Sequence, residues 1–266
     1  MADASVTFVD RGRVEADRNF VVDGAVAATA ADPNPDLAYE EFVVWNLVID
    51  HPEATILWDT GPHPEAAGGY WPEPLAQAFA YVEGDEGGLP ADLDAAGYGI
   101  DDVDCVVMSH LHLDHAGELR RFEGTDTPVY VHREELPFAY YSAKTGEGSI
   151  AYLASDFDRD VNWEIVHGDR VELYPGIELL HLPGHTPGLL GALIDVPEGT
   201  VLVAGDEAYV DANYRGGRPM ATSLLWDNRA WAESRQRLMD IERRHDADVL
   251  LGHDLAMVER FEEGWG

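Results

Sequence analysis

The run Ser109-His110-Leu111-His112-Leu113-Asp114-His115 constrains this chain more than any other stretch, because three imidazoles and a carboxylate must share one small volume of the fold. It follows directly on Val103-Asp104-Cys105-Val106-Val107-Met108, an apolar segment with the character of a buried strand. In an extended segment His110 and His112 point the same way, so both rings can reach one metal ion. A turn after Leu113 lets Asp114 and His115 face a second ion nearby. Carboxylate and imidazole together suit zinc, with iron, manganese or cobalt as alternatives.

One short run cannot close two metal sites, so further ligands must come from elsewhere in the chain. Leu182-Pro183-Gly184-His185-Thr186-Pro187-Gly188 places a histidine on a tight loop after a strand, Val203-Ala204-Gly205-Asp206 ends a strand on a carboxylate, and Leu251-Gly252-His253 ends one on a histidine. A glycine before each lets the backbone bend sharply and leaves room for an ion. Structural zinc sites favour cysteine and close with four ligands. The chain has one cysteine, Cys105, placed in the core strand, so no internal disulfide forms and the ligand set points to catalysis.

The 266 residues contain no repeat, and periodic segments alternate along them. Strand-like runs fall at 6–9, 42–49, 55–58, 103–109, 129–132, 177–182, 190–195, 200–204 and 249–251. Helical patterns fall at 75–82, 89–96, 118–122 and, most clearly, 229–245, where Trp231, Leu238 and Ile241 share a face and Asp227 or Asn228 can cap the start. Both halves mix strands with flanking helices, so the expected fold is α/β, two packed sheets with helices on the outer faces, in a single domain over 1–266. The Pro- and Gly-rich segment 62–74 carries Tyr70 and Trp71 and is a candidate lid. Tyr140, Tyr141, Tyr152, Phe157 and Trp163, in the helical and loop region 134–163, either line a ligand pocket or pack among themselves.

Charge excludes some partners. There are 51 acidic and 17 basic residues, a formal net charge of −34, and Lys144 is the only lysine. Such a surface repels itself in dilute buffer and suits a salt-rich cytoplasm, where the screening length falls to roughly 3 Å at 1 M salt. It also argues against nucleic acid. The start Met1-Ala2-Asp3-Ala4-Ser5 has no leader-like apolar stretch, and the apolar run 42–49 is too short to span a bilayer, so a cytoplasmic protein without a membrane partner is expected.

These words and their order resemble the metallo-β-lactamase superfamily, from Asp59-Thr60-Gly61, similar to its first aspartate loop, through to Gly252-His253-Asp254. The resemblance implies an αββα sandwich with a two-metal site at one edge. It assigns His110, His112 and His185 to one ion, Asp114, His115 and His253 to the other, and Asp206 to the bridge; Asp59 would brace the ligand loops. Within the superfamily the likeness is greater to the N-acyl homoserine lactonases. Asp206-Glu207-Ala208-Tyr209 resembles their bridging aspartate followed by a substrate-contacting tyrosine, and the tail after His253 is short, as theirs is. Where many members carry a second histidine after the Gly-His-Thr-Pro-Gly word, this chain has Leu189.

The resemblance implies a hydrolase opening a lactone or other ester; whether it works as a monomer or a homodimer is left open by the sequence. Two divalent ions, two aspartates and a hydroxide leave about +1 to face a substrate carbonyl. The hydroxide would attack, Tyr209 would help hold the oxyanion, and Asp114 would help move a proton to the leaving group. A glyoxalase II-like thioesterase is the alternative, although that family normally adds a helical glutathione-binding domain. A ribonuclease Z-like phosphodiesterase would want a basic surface. A metal-binding sensor with the same fold is the non-enzymatic alternative.

Overall fold

The computed structural model describes residues 4–82, 84 and 87–261, so residues 1–3 of the N-terminal reading and 262–266 of the tail reading lie outside the described residues. Twelve strands are described: β1 Ser5–Asp17, β2 Tyr39–His51, β3 Ala54–Trp58, β4 Phe79–Val82, β5 Cys105–Val107, β6 Pro128–His132, β7 Asn162–Val166, β8 Arg170–Tyr174, β9 Ile177–His181, β10 Leu190–Val196, β11 Gly199–Gly205 and β12 Asp248–Leu251. They form two sheets, ordered β4-β1-β2-β3-β5-β6-β7 and β12-β11-β10-β9-β8. In the first, β3, β5, β6 and β7 run parallel and the rest antiparallel; in the second, only the β11–β12 pair is parallel.

Side-chain alternation sorts the apolar residues of the first sheet onto two faces. Leu47, Ile49, Ile56, Trp58, Cys105 and Val107 point between the sheets and meet Leu179, Ala192, Ile194, Val201 and Val203 of the second. Val48, Leu57, Val106, Val129 and Val131 point the other way, under Leu89, Leu93 and Phe122. Burial on both faces is why these strands read as continuous apolar runs. The helix Asn228–His245 covers the second sheet with Leu238 and Ile241, and the Asp227 side chain caps it by accepting from Ala230 N at 2.7 Å. The expected arrangement of sheets and helices is therefore present.

Three local expectations change. The stretch 75–82 is not one helix: the helix Glu73–Ala78 stops, and Phe79–Val82 pairs with the edge of β1, which satisfies backbone groups that an apolar run this short can place in either structure. Strand β1 runs well past Val9 across the register shift between Asp10 and Arg13, and its charged residues other than the buried Arg11 stay at least partly exposed. Strands β7 and β8 were hidden because their faces stay largely solvent-exposed and carry little apolar pattern. At the seam between the sheets, His132 at the end of β6 stacks on His181 at the end of β9, with ring centroids 3.8 Å apart and planes 19° from parallel. Among the described residues no helix is long and apolar enough to cross a membrane.

Candidate metal centre and its cavity

The parallel strands β3 and β5 deliver the first elements of the site at their carboxyl ends. Trp58 ends β3, and Asp59 follows in the left-handed region at φ 59°, a conformation that aspartate tolerates better than most residues. The turn aims its buried carboxylate at the loop after β5. Oδ1 accepts from Ser109 N at 2.6 Å, and Oδ2 accepts from Ser109 Oγ at 2.7 Å and from His115 Nδ1 at 2.9 Å. Thr60 N and Oγ1 both donate to the His115 carbonyl. Asp59 is thus a brace, as the sequence reading expected. Burial raises its carboxyl above the ordinary range, against the pull of His115 and Ser109.

Four histidines are fixed from behind in the same fashion. His115 Nδ1 is held by Asp59, His110 Nδ1 lies 3.0 Å from Ser109 Oγ, His185 Nδ1 donates to Leu224 O at 2.7 Å, and His253 Nδ1 donates to Val43 O at 2.8 Å. A bond at Nδ1 fixes the ring and leaves Nε2 as the ligand atom. All four Nε2 atoms converge on one oxygen: Asp206 Oδ2 is 3.7 Å from His110, 3.5 Å from His115, 3.5 Å from His185 and 3.4 Å from His253. His112 is turned the other way, its Nδ1 2.9 Å from His185 Nε2. Asp114 Oδ2 lies 3.6 Å from His115 Nε2 and 3.8 Å from His253 Nε2.

Three groups of ligand atoms have every member within 4.8 Å of the others: His110, His112 and His185; His110, His115 and Asp206; Asp114, His115 and His253. All the residues named from the sequence as metal ligands are therefore brought together. Buried polar atoms left without a partner point the same way, since His110 Nε2, His115 Nε2 and Asp206 Oδ1 make no hydrogen bond. Such atoms are costly unless something outside the protein completes them. The donor set fits two divalent ions. Burial, then neighbouring imidazoles, holds His110 and His112 well below the usual histidine range, in the neutral form that binds metal. At His115 burial acts downward but Asp206, Asp114 and Asp59 outweigh it. Backbone room matters at Gly252, where a Cβ would stand 2.7 Å from Asp206 Oδ1.

Tyr209 stands at the rim of the cluster. Its carbonyl accepts from His253 N at 2.9 Å, and its ring packs edge-on against His253 at 4.6 Å and His185 at 5.6 Å. Burial first, then Asp206 and Asp114, keeps its hydroxyl protonated well above the ordinary tyrosine range, so it is a donor. From Tyr209, His112, Asp114 and His253 a cavity opens between Val14, Val21, Phe42, Trp71, Leu75, Phe79, Leu113 and Ala151.

Trp71 is buried in this wall, so the 62–74 segment contributes to the cavity. Of the aromatic residues between 134 and 163, Phe157 and Trp163 pack on the outer core, and Tyr152 lies behind the site, edge-on to His112 at 4.4 Å. None of the five is among the described residues lining the cavity. Sequence reasoning missed two acids. Glu135 reaches into the ligand loops, and Glu207 is wholly buried beside Asp206, where burial pushes its carboxyl well above the ordinary range. No local word marks Glu135, because its partners Thr186 and Gly188, on the loop of His185, lie 51 and 53 residues away along the chain.

The profile of the Metallo-beta-lactamase superfamily matches residues 39–253, and the chain belongs to that superfamily. Among its relatives is the N-acyl homoserine lactonase AiiB of Agrobacterium fabrum, 31% identical over 257 residues and covering 92% of each chain. An N-acyl homoserine lactonase of a Bacillus species is 33% identical over 220 residues, covering 80% of this chain and 81% of its own. The solved structure of an N-acyl homoserine lactone hydrolase with N-hexanoyl-L-homoserine bound at its catalytic metal centre superposes with a TM-score of 0.82 at 25% identity, over 98% of this chain and 97% of that one.

Proposed function

We propose that this chain is a dinuclear metal-dependent lactonase, acting as one domain, that opens N-acyl homoserine lactones. The observation that carries the reading is the junction of a complete two-ion ligand set with an apolar cavity, the pairing needed for a small polar ring on a hydrocarbon tail. The names of the relatives support the same substrate class.

His110, His112 and His185 would hold one ion, Asp114, His115 and His253 the other, and Asp206 both. Ions held there supply Lewis acidity and bring water ionisation near neutral pH; zinc is the ion that the nitrogen-rich set suits best. The apolar wall binds the acyl tail and leaves the lactone at the polar end of the cavity. Tyr209 donates a hydrogen bond from its hydroxyl to the carbonyl oxygen as charge builds there. Water adds to the lactone carbonyl, and Asp114, on the cavity side of the cluster, relays the proton that this water gives up to the alkoxide oxygen as the ring C–O bond breaks. The acidic surface supports work at high salt, so the assay belongs there.

Zinc-loaded protein in molar salt is expected to release acid from N-hexanoyl and N-decanoyl homoserine lactone, followed with a pH indicator, and to stop when chelated. Protein carrying two ions but inert to lactones would overturn the lactonase reading, and turnover of thioesters instead would move it to the thioesterase class.

A further inference from the structure

One buried carboxylate near the site belongs neither to the ion clusters nor to the cavity. Glu135, in the first turn of the helix Glu135–Thr145, is buried, and its two oxygens accept four hydrogen bonds. Oε1 takes Leu111 N at 3.0 Å and the Tyr152 hydroxyl at 2.7 Å. Oε2 takes the Thr186 hydroxyl at 2.7 Å and Gly188 N at 3.2 Å. All four donors are neutral, and together they occupy the lone pairs that a carboxylate offers.

Each donor belongs to the surroundings of the same ion cluster. Leu111 separates His110 from His112. Thr186 follows His185, and Gly188 closes that turn so tightly on the helix start that a Cβ there would lie 2.3 Å from Glu135 N. Tyr152 presses its ring on His112. The other cluster answers to different groups: His115 to Asp59, and His253 to the carbonyl of Val43.

We propose that Glu135 is a positioning residue for the ion held by His110, His112 and His185 and not for the other ion; Asp59, by contrast, holds His115 directly and reaches His110 through Ser109. The physical basis is that a ligand ring is only as well placed as the loop behind it. A buried carboxylate with every lone pair engaged fixes two loops from different sheets to one helix start. Glutamine in its place would face an N–H or O–H donor with its own amide donor, so one loop would have to move. The inference rests on the dinuclear reading.

The test is zinc uptake by the metal-stripped full chain, measured by competition with a chromophoric chelator. Wild-type protein taking up fewer than two ions would sink the dinuclear reading itself, whatever Glu135 does. With two ions bound by wild type, Glu135→Gln is expected to weaken one of them by roughly 10- to 100-fold and leave the other unchanged. His253→Ala and His185→Ala backgrounds identify which: Glu135→Gln must weaken the remaining ion in the first and have no effect in the second. Equal weakening in both, or none in either, overturns the proposal. Should Glu135→Gln fail to fold by circular dichroism, Thr186→Val and Tyr152→Phe, each deleting one donor, decide the same question through a smaller selective shift.

Discussion

At the ion site four of the five histidines are fixed twice, by their loops and by a hydrogen bond behind the ring, whereas the cavity wall is held by packing. His253 is set by its strand end and by Val43 O. Trp71, on the wall, leaves its indole Nε1 without a partner and is placed by neighbours such as Tyr81, 5.6 Å away. Hydrogen bonds specify direction and distance; apolar contacts specify only that space be filled. The difference assigns tasks. A ligand displaced by an ångström changes the chemistry, while a reshaped wall changes what fits.

Removing the residue shared by both ion positions should break the comparison most severely. Asp206→Ala is expected to abolish two-ion occupancy by metal analysis and to lower activity more than roughly a thousandfold, since several kcal/mol of charge stabilisation are lost. Loss at the rim is smaller. Tyr209→Phe is expected to lower kcat about a hundredfold with metal content intact, the size of one lost oxyanion donor; a loss of metal would place Tyr209 in the floor rather than above it.

Changing the wall should leave the ion site untouched. Trp71→Ala is expected to keep both ions and to raise KM for N-decanoyl homoserine lactone by roughly tenfold or more, in line with about 1.5–3 kcal/mol for a large apolar contact, and to affect a butanoyl substrate less. A fall in kcat without a change in KM would show that wall and floor are mechanically one unit.

The mildest probe reaches the floor from behind. His181 Nε2 lies 2.8 Å from Pro187 O, on the loop that carries His185, and its ring stacks on His132. Burial, then His181, lowers His132 to about 4. A histidine depressed from its free value contributes stability that is complete above about 6.5 and is lost as pH falls towards 4. Unfolding free energies from urea titrations between those limits should therefore drop more for wild type than for His132→Asn, by at most a few kcal/mol; parallel profiles would refute this.

The same contrast explains what could be read from the sequence. The floor was legible because its ligands sit in short words whose glycines and histidines have few other uses, as at Gly184-His185-Thr186 and Gly252-His253. The wall was not, since Val14, Val21, Phe42 and Phe79 come from separate elements with no fixed spacing. Phe79 also lay in a segment read as helix. Glu135 was one acid among 51, and only its burial against two ligand loops sets it apart.

The described residues of the cavity include no arginine or lysine, and its polar end carries Asp114. A lactone is neutral, but its hydrolysis product is a carboxylate. Away from the ions, nothing cationic in that lining retains the new charge, and a surface of net charge −34 repels it outward. Departure of the spent ligand is thus favoured by the same field that is indifferent to the incoming one, and added salt, by screening that field, should lengthen the stay.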